Sequence, residues 1–278
     1  MELSAHISEE FNENGYLFLE NLFNRHETEV MLKEMHRLIE QDCPERILEK
    51  NGRVRSFFAP ETRSRIFYEV VHSSRLISLA SFLIGNDVYV HQTKINSKFA
   101  MYGDWWEWHQ DYTFWKLEDG MPAPTVLTAM IYLNDVNEFN GPLLLIPGSH
   151  REGTKEIAKK DEIPETESLW FNAYKSSTPY MSALTADLRY TLDQSTIAAA
   201  VKRNGLFSAK GPAGSVLFFH GNLFHASYNN LSPWDRHAFL ITYNSIDNRL
   251  MPLENPRPEF IACRNFDTIE PVVSEIFK

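Results

Sequence analysis

The residues most able to do chemistry lie in the aromatic stretch 105–112, which reads WWEWHQDY. His109 and Asp111 are two positions apart within it. On a β-strand, residues i and i+2 project from the same face, so an imidazole and a carboxylate would enter one space. Two ligands on one short strand do not complete a metal site, so a third donor must come from elsewhere. The late segment 219–227, FHGNLFHAS, offers His220 and His225.

Two histidines and one carboxylate on one side of a metal ion form the ligand set of non-haem Fe(II) oxygenases, because the other positions stay open. A histidine and an aspartate at this spacing are a weak signal alone, but Arg236 follows His225 by eleven residues. If a turn at 229–233 separates two neighbouring strands, Arg236 returns beside His225. Its guanidinium could then bind a carboxylate through a bidentate fork. The sequence therefore pairs a predicted metal site with a predicted carboxylate anchor.

The elements that must hold these residues are mostly short strands bounded by Gly, Pro and Asn. Strands are predicted at 15–19, 52–58, 88–96, 126–133, 143–147, 214–220 and 237–244, and helices at 26–41 and 66–84. In the strand 88–96, alternation predicts Tyr89 and His91 on one face and Gln92 and Lys94 on the other. The pattern favours a β-sandwich or jelly roll with helices packed outside it. The predicted fold is mainly β with flanking helices, a double-stranded β-helix of the jelly-roll, cupin-like type.

The segment at about 151–204 differs in character from the core strands on either side of it. It is polar, charged and partly helical, which is typical of a lid inserted over a site, or of an ordinary surface excursion. We expect one domain spanning 1–278 with this segment as its lid insertion. The Pro-rich tail from residue 252 is expected to be loop-like.

Composition narrows the class of protein. The chain is 43% hydrophobic and 13% aromatic, so a sizeable core is expected. Its net charge of -10 and lack of a basic stripe argue against nucleic acid as a partner. The N-terminal residues do not resemble a signal peptide, and no apolar run approaches a membrane span. With only two cysteines, a disulfide framework is not expected and a cytoplasmic protein is predicted.

Several further motifs carry a family resemblance. They read DGMP at 119–122, NGPL at 140–143, PGSH at 147–150, HAS at 225–227 and NLSP at 230–233. With HQD at 109–111 and Arg236, the chain resembles the phytanoyl-CoA dioxygenase family of Fe(II)/2-oxoglutarate oxygenases over most of its length, from 15 to 243. Segments 46–49, 91–96 and 241–244 are most similar to bacterial hydroxylases of free amino acids, such as leucine 5-hydroxylases. Ectoine hydroxylase is second in similarity.

The resemblance implies roles for individual residues. His109, Asp111 and His225 would hold Fe(II), and O2 and 2-oxoglutarate would be co-substrates. Arg236 would pair with the C5 carboxylate of 2-oxoglutarate, and Thr128 and Ser227 would hydrogen-bond near that carboxylate. Gln92 and Lys94 would line the cavity for the cosubstrate or the substrate. Trp115 would line the substrate pocket. Halogenases of this class carry a small residue in place of the carboxylate ligand, so Asp111 favours hydroxylation.

Some alternatives remain open from the sequence. His220 competes with His225 as the third ligand, although the spacing to Ser227 and Arg236 favours His225. His91 fits either a residue beside the site or a packed histidine, and His150 fits a structural role. Arg55 is either an anchor for a substrate carboxylate or, more commonly for an arginine, a surface residue.

The substrate prediction is a free aliphatic L-amino acid, leucine-like, hydroxylated at an unactivated carbon with release of succinate and CO2. The alternative is ectoine or another small amino-acid-derived metabolite, and a non-catalytic jelly-roll binding protein is a remote one. The acidic composition disfavours a coenzyme A thioester, whose phosphates would need a basic channel.

Overall fold

The computed structural model describes residues 4–155, 169–178, 180–181, 184–185 and 188–274. Its helices are α1 (Ala5–Asn14), α2 (Arg25–Ile39), α3 (Arg65–Val71), α4 (Ser74–Ile84), α5 (Asp111–Glu118), α6 (Leu169–Lys175) and α7 (Gln194–Asn204). Its strands are β1 (Tyr16–Leu19), β2 (Arg46–Leu48), β3 (Val54–Phe58), β4 (Val88–Lys98), β5 (Trp106–His109), β6 (Val126–Tyr132), β7 (Leu143–Leu145), β8 (Phe207–Ala209), β9 (Val216–His220), β10 (His225–Ser227) and β11 (Arg236–Ser245).

The strands form two antiparallel sheets. The major sheet has the order β1-β9-β6-β11-β4-β3-β2, and the minor sheet has the order β5-β10-β7-β8. One buried cluster joins their inner faces, with Met130 and Leu240 from the major sheet and Leu143 and Leu145 from the minor sheet. The predicted jelly roll with a cupin-like, double-stranded β-helix fold is confirmed.

Helices cover the outer face of the major sheet. Alternate residues of β6 separate the two sides, because Leu127 and Ile131 join the helix-facing core whereas Met130 points into the jelly roll. Helix α2 begins at a capping box in which the Asn24 side chain accepts from the Glu27 N–H and Glu27 bonds back. The helices therefore brace the sheet from outside and leave its inner face for the site.

Two predicted elements are divided in the structure. The helix predicted over 66–84 is two helices, because Ser73 takes an extended conformation (φ -68°, ψ 126°) between α3 and α4. The strand predicted to carry both His109 and Asp111 ends at His109, and Asp111 begins α5. Gln110 between them is extended (φ -119°, ψ 126°), so the two side chains still converge.

The predicted alternation along β4 is wrong at one point. The register with β11 pairs Gln92 with Thr242 but Val90 with Tyr243, which leaves His91 as an extra residue in a β-bulge. His91 consequently contacts the ring of Trp115, whose side chain lines the same cavity as that of Gln92. The prediction had put His91 and Gln92 on opposite faces.

The proposed lid insertion at about 151–204 lies partly outside the described residues, because 156–168 are not among them. Within the described part, its second half ends in α7 and packs beside the minor sheet, where Leu192 shares a cluster with Ile146 and Phe224. The tail from 252 carries no helix or strand over its described residues. No helix in the described ranges is long and apolar enough to cross a membrane.

Candidate active site

Two strands of the minor sheet and the start of a helix bring three side chains together. His109, the last residue of β5, pairs directly with His225, the first residue of β10, and their ring centroids are 4.1 Å apart. Asp111 at the start of α5 completes the group. One ligand atom from each of the three lies within 4.8 Å of the others. Two imidazoles and one carboxylate at this spacing suit a single metal ion.

A β-bulge in β5 shapes this end of the site. The register pairs His225 with His109 but Ser227 with Trp106, so β5 contains one residue more than β10 over this interval. Trp106 and His109 consequently both line the cavity although they are three positions apart. Bulges next to active sites commonly redirect side chains in this way.

Backbone carbonyls orient both imidazoles. Nδ1 of His109 lies 2.6 Å from the Glu107 carbonyl oxygen, and Nδ1 of His225 lies 2.9 Å from that of Leu223. When Nδ1–H donates to a carbonyl, the Nε2 lone pair is left for a metal. The two Nε2 atoms lie 3.5 and 3.8 Å from the oxygens of Asp111.

The protonation states also fit a metal ion. Burial raises the pKa of Asp111, but His225, His109 and Lys94 outweigh burial and hold that pKa below its usual value. Burial, with the neighbouring His109, lowers the pKa of His225 to about 4. At neutral pH the carboxylate is therefore ionised and His225 neutral, as metal coordination requires.

The cavity beside this group is apolar on most sides and cationic on the rest. Among the described residues that line it, Lys94, Arg236 and Arg257 carry positive charge, and Asp111 is the single carboxylate. Its apolar walls include Phe58, Phe114, Trp115, Leu184 and Leu188. Such a cavity suits small molecules that carry carboxylates.

Arg236 lies at the start of β11 and is buried. Its Nε and Nη2 atoms donate to the Gly141 carbonyl oxygen at 3.2 and 2.8 Å, and no carboxylate pairs with it in the described part of the chain. Burial lowers the pKa of Arg236 to about 10, so the side chain stays charged at neutral pH. Nearby, Ser227 has a buried Oγ with no hydrogen-bond partner among the described residues.

The other predicted cosubstrate residues take different positions. Gln92 and Lys94 both line the cavity, whereas Thr128 lies 3.1 Å from Thr242 (Oγ1 to Oγ1) and does not appear among the lining residues. The amide nitrogen of Gln92 donates to the Ile261 carbonyl oxygen at 2.6 Å, which leaves its Oε1 as an acceptor. Burial lowers the pKa of Lys94, and Asp111 partly offsets this shift.

Arg55 is not a surface residue, so the expectation that it is exposed is wrong. Its side chain is 1% exposed and stacks on the Trp106 ring, with the guanidinium carbon 3.6 Å from the ring centroid. Nη2 donates to the Trp105 carbonyl oxygen at 2.9 Å, and Nη1 lies 3.4 Å from Oε1 of Glu49. Arg55 therefore packs against Trp106 and is not among the residues that line the cavity.

Sequence reasoning missed Arg257, which comes from the tail. Its Nε and Nη2 atoms donate to the two oxygens of Asp119 at 2.7 and 2.6 Å, and its side chain lines the cavity. His91 Nε2 lies 3.2 Å from the same carboxylate. Burial raises the pKa of Asp119, but Arg257 and His91 outweigh burial and lower it to about 2. The available signal in the sequence was Asp119, an acid in the DGMP motif for which no role was predicted.

The segment that precedes α7 contributes one wall. The Leu188 N–H donates to Oε2 of Glu107 at 3.2 Å, and the Leu192 N–H donates to the Trp108 carbonyl oxygen at 2.8 Å. The Tyr190 ring packs edge-on against Phe114 at 5.0 Å. Contacts with β5 and α5 thus hold this segment in place at the cavity.

The alternative ligand His220 lies elsewhere. It ends β9, packs against His150 with ring centroids 5.3 Å apart, and accepts a hydrogen bond at Nδ1 from the Asn222 N–H. The ligand group contains His225 and not His220.

A His, Asp and His group inside an antiparallel jelly roll, with a buried arginine beside it, defines a class: the non-haem iron oxygenases. The family model "Phytanoyl-CoA dioxygenase (PhyH)" matches residues 11–238, and the chain belongs to that family. The family resemblance drawn from the sequence is thereby confirmed.

Known relatives agree with this class. The chain is 35% identical over 281 residues to the ectoine dioxygenase of Bordetella bronchiseptica, covering 98% of this chain and 86% of the relative. It is 32% identical over 263 residues to the L-proline trans-4-hydroxylase of Streptomyces griseoviridis, covering 94% and 93%. The crystal structure of EctD from Sphingopyxis alaskensis with 2-oxoglutarate and 5-hydroxyectoine superposes with a TM-score of 0.77 at 29% identity, covering 97% and 86%.

The chain is therefore a 2-oxoglutarate-dependent non-haem iron dioxygenase that acts on a small molecule. Fe(II), 2-oxoglutarate and O2 are its cofactor and co-substrates, as predicted.

Proposed function

We propose that this enzyme hydroxylates an unactivated C–H bond of ectoine or of a similar small, cyclic amino-acid derivative that carries one carboxylate. The products are the hydroxylated compound, succinate and CO2. The observation that carries the proposal is Arg257, a buried arginine that lines the cavity while it is already paired with Asp119. Relatives named for ectoine and for L-proline support a compact substrate of this type.

The cosubstrate end follows from the cations near the metal ligands. We assign His109, Asp111 and His225 to Fe(II), which, when bound, activates O2 together with 2-oxoglutarate. Arg236 is suited to the C5 carboxylate of 2-oxoglutarate, with the Ser227 hydroxyl as a second donor. Lys94 and the more distant Thr128 remain proposed contacts of this end, Thr128 acting through its partner Thr242.

The substrate end follows from Arg257 and Gln92. Nη1 of Arg257 has no hydrogen-bond partner in the described ranges, so it is available to a substrate carboxylate. Oε1 of Gln92 is an acceptor, which suits a substrate N–H. Trp115 and Phe114 would supply flat apolar walls on either side of a ring. These groups would orient one substrate carbon toward the metal.

A free aliphatic L-amino acid, leucine-like, is the second candidate. Leu184 and Leu188 add branched apolar surface to the cavity, which would suit an alkyl side chain. The relatives favour the cyclic substrate, because none of those described above is named for leucine.

The test is succinate release by the purified enzyme with Fe(II), ascorbate and 2-oxoglutarate, in the presence of ectoine, L-proline or L-leucine. Succinate matched by a product 16 mass units heavier with ectoine or proline would support the proposal. The same result with leucine alone would make the second candidate correct. Asp111→Gly is the matched control, since it removes a ligand without touching Arg257.

If neither succinate nor a hydroxylated product forms with ectoine, L-proline or L-leucine, all three compounds are excluded as substrates.

A further inference from the structure

We propose that Arg55 protects Trp106, a wall of the active-site cavity, from oxidation by the enzyme's own iron centre. The inference rests on the proposed iron chemistry, but its test includes a measurement that needs no turnover. It gives a function to a buried arginine that does not line the cavity.

Trp106 is placed where stray oxidation would occur. Its indole lines the cavity, and its ring centroid lies 6.3 Å from that of the iron ligand His109. The described lining residues include one other indole, Trp115. Indole is the most easily oxidised of the aromatic side chains. Among the aromatic residues that line the cavity, Trp106 and Trp115 are therefore the most susceptible to oxidation at the metal site.

Arg55 covers one face of the Trp106 indole and is not itself among the residues that line the cavity. The guanidinium carbon lies 3.6 Å from the ring centroid, and the Arg55 and Glu49 side chains are 1% and 4% exposed. The guanidinium is fixed by the Trp105 carbonyl oxygen and lies beside Glu49, whose Oε1 also accepts from the Asp104 N–H at 3.1 Å. No cation stacks on Trp115 in the described part of the chain.

The physical effect follows from charge. A cation over an indole face is attracted by the electron-rich ring. Removal of an electron from the ring would reverse this attraction into repulsion between two positive charges, and burial makes that repulsion stronger than in water. Glu49 offsets part of the charge, but the guanidinium is the group in contact with the ring. Arg55 therefore makes Trp106 harder to oxidise.

The reaction that Arg55 suppresses is a hydroxylation of the protein itself. In the absence of substrate, O2 and 2-oxoglutarate are consumed and one oxygen atom enters an indole C–H bond. The products are hydroxytryptophan, succinate and CO2. The ring carbon gives up two electrons and the decarboxylation of 2-oxoglutarate supplies the other two, so O2 is fully reduced.

The first measurement compares wild type with Arg55→Met during substrate-free turnover under ¹⁸O₂. Peptide mass mapping would follow label at Trp106 and at Trp115. We expect label at Trp106 to rise about tenfold in R55M because the opposing charge is gone, with label at Trp115 unchanged. Arg53→Met is the matched control, since it removes an arginine stacked on Tyr102 at 4.2 Å, outside the cavity.

The second measurement uses metal-free protein and azidyl radicals, which are small one-electron oxidants of indole. The ratio of Trp106 to Trp115 oxidation should rise in R55M and stay at the wild-type value in R53M. If R55M does not fold, Arg55→Lys, which keeps the charge with fewer contacts, should show a smaller rise in the same ratio.

Equal Trp106 oxidation in wild type and R55M would overturn the protective role. If no succinate forms in any protein even with ectoine, L-proline or L-leucine present, the proposed function fails, and the azidyl ratio alone decides the role of Arg55. The two failures are therefore distinguishable.

Discussion

Two buried arginines line the same cavity but differ in their partners. Arg236 donates only to the Gly141 carbonyl oxygen among the described residues, and burial lowers its pKa to about 10. Arg257 donates to both oxygens of Asp119; burial lowers its pKa, but Asp119 more than offsets burial and raises it. One end of the cavity therefore holds an uncompensated positive charge and the other a neutral ion pair.

The difference indicates what each end is built to select. An uncompensated buried cation favours an anion strongly, which suits the terminal carboxylate of dianionic 2-oxoglutarate. A compensated arginine adds little net charge and binds a carboxylate mainly through hydrogen-bond geometry. That suits a zwitterion such as ectoine or proline, in which the carboxylate already has a positive nitrogen nearby. Charge would therefore select the cosubstrate, whereas shape would select the substrate.

The largest effect is expected from Arg236→Met, which removes the uncompensated charge and nearly keeps the volume. The KM for 2-oxoglutarate should rise about 10³-fold, or about 4 kcal/mol, as for truncation of a buried charged partner. Steady-state kinetics with each substrate varied would measure it. The KM for the primary substrate is the internal control, and a comparable rise in that constant would break the division into two ends.

Asp119→Asn tests whether the Arg257 pair is a compensated unit. Without the carboxylate, the buried guanidinium loses its counter-charge, and the free energy of unfolding should fall by about 3 kcal/mol. Urea denaturation would measure this, with Glu138→Gln as control, since the Lys210–Glu138 pair is on the surface. Equal losses in the two variants would show that Asp119 contributes no more than a surface acid.

Arg257→Met should act on the substrate end alone. We expect the KM for the primary substrate to rise about 30-fold, or about 2 kcal/mol, because hydrogen bonds to its carboxylate are lost. The KM for 2-oxoglutarate should stay within twofold of wild type, roughly the error of such constants. A change in the 2-oxoglutarate constant instead would reverse the assignment of the two arginines.

The smallest expected effect is a change of stability with pH. Both arginines stay charged between pH 5 and pH 7, so we assign this change to a histidine, His220. Burial, with the charge of His150, lowers the pKa of His220 to about 4, against about 6.5 in an unfolded chain. The unfolded state therefore binds more protons between these values, and stability falls as the pH drops through this window. After allowance for partial exposure, the loss from pH 7 to 5 is about 1 kcal/mol.

His220→Asn places an acceptor oxygen at the position of Nδ1, so it keeps the hydrogen bond from the Asn222 N–H and removes the titration. Unfolding free energies of the metal-free protein at pH 7 and pH 5 should therefore differ less in this variant. An unchanged pH dependence would assign the loss to other groups.

Two of the proposed metal ligands could be predicted from the sequence because their signal is local. His109 and Asp111 are two positions apart, and an extended Gln110 is enough to bring them together even though the strand ends between them. His225 and Arg236 were predicted to flank a turn between two neighbouring strands. In the structure the turn instead joins β10 of the minor sheet to β11 of the major sheet, and both side chains line the cavity between the sheets.

The proposed substrate end could not be predicted in this way because it depends on contacts between residues that are far apart in the sequence. Asp119 and Arg257 are 138 positions apart and meet only when the tail packs beside α5. The bulge at His91 breaks an alternation that the residue types alone support. Arg55 is buried, although arginines are usually exposed, because Glu49 and Trp106 provide partners for its side chain inside the protein.

The position of Arg257 after the last strand has a consequence for engineering the enzyme. The proposed iron ligands and Arg236 all lie at or before β11, whereas Arg257, the proposed substrate arginine, belongs to the loop that follows it. A chimaera that exchanges the loop beyond residue 249, together with the short DGMP turn, would carry both halves of the Arg257–Asp119 pair to a related scaffold. Substrate preference could then be recombined between relatives as a cassette, without rebuilding the oxidising centre.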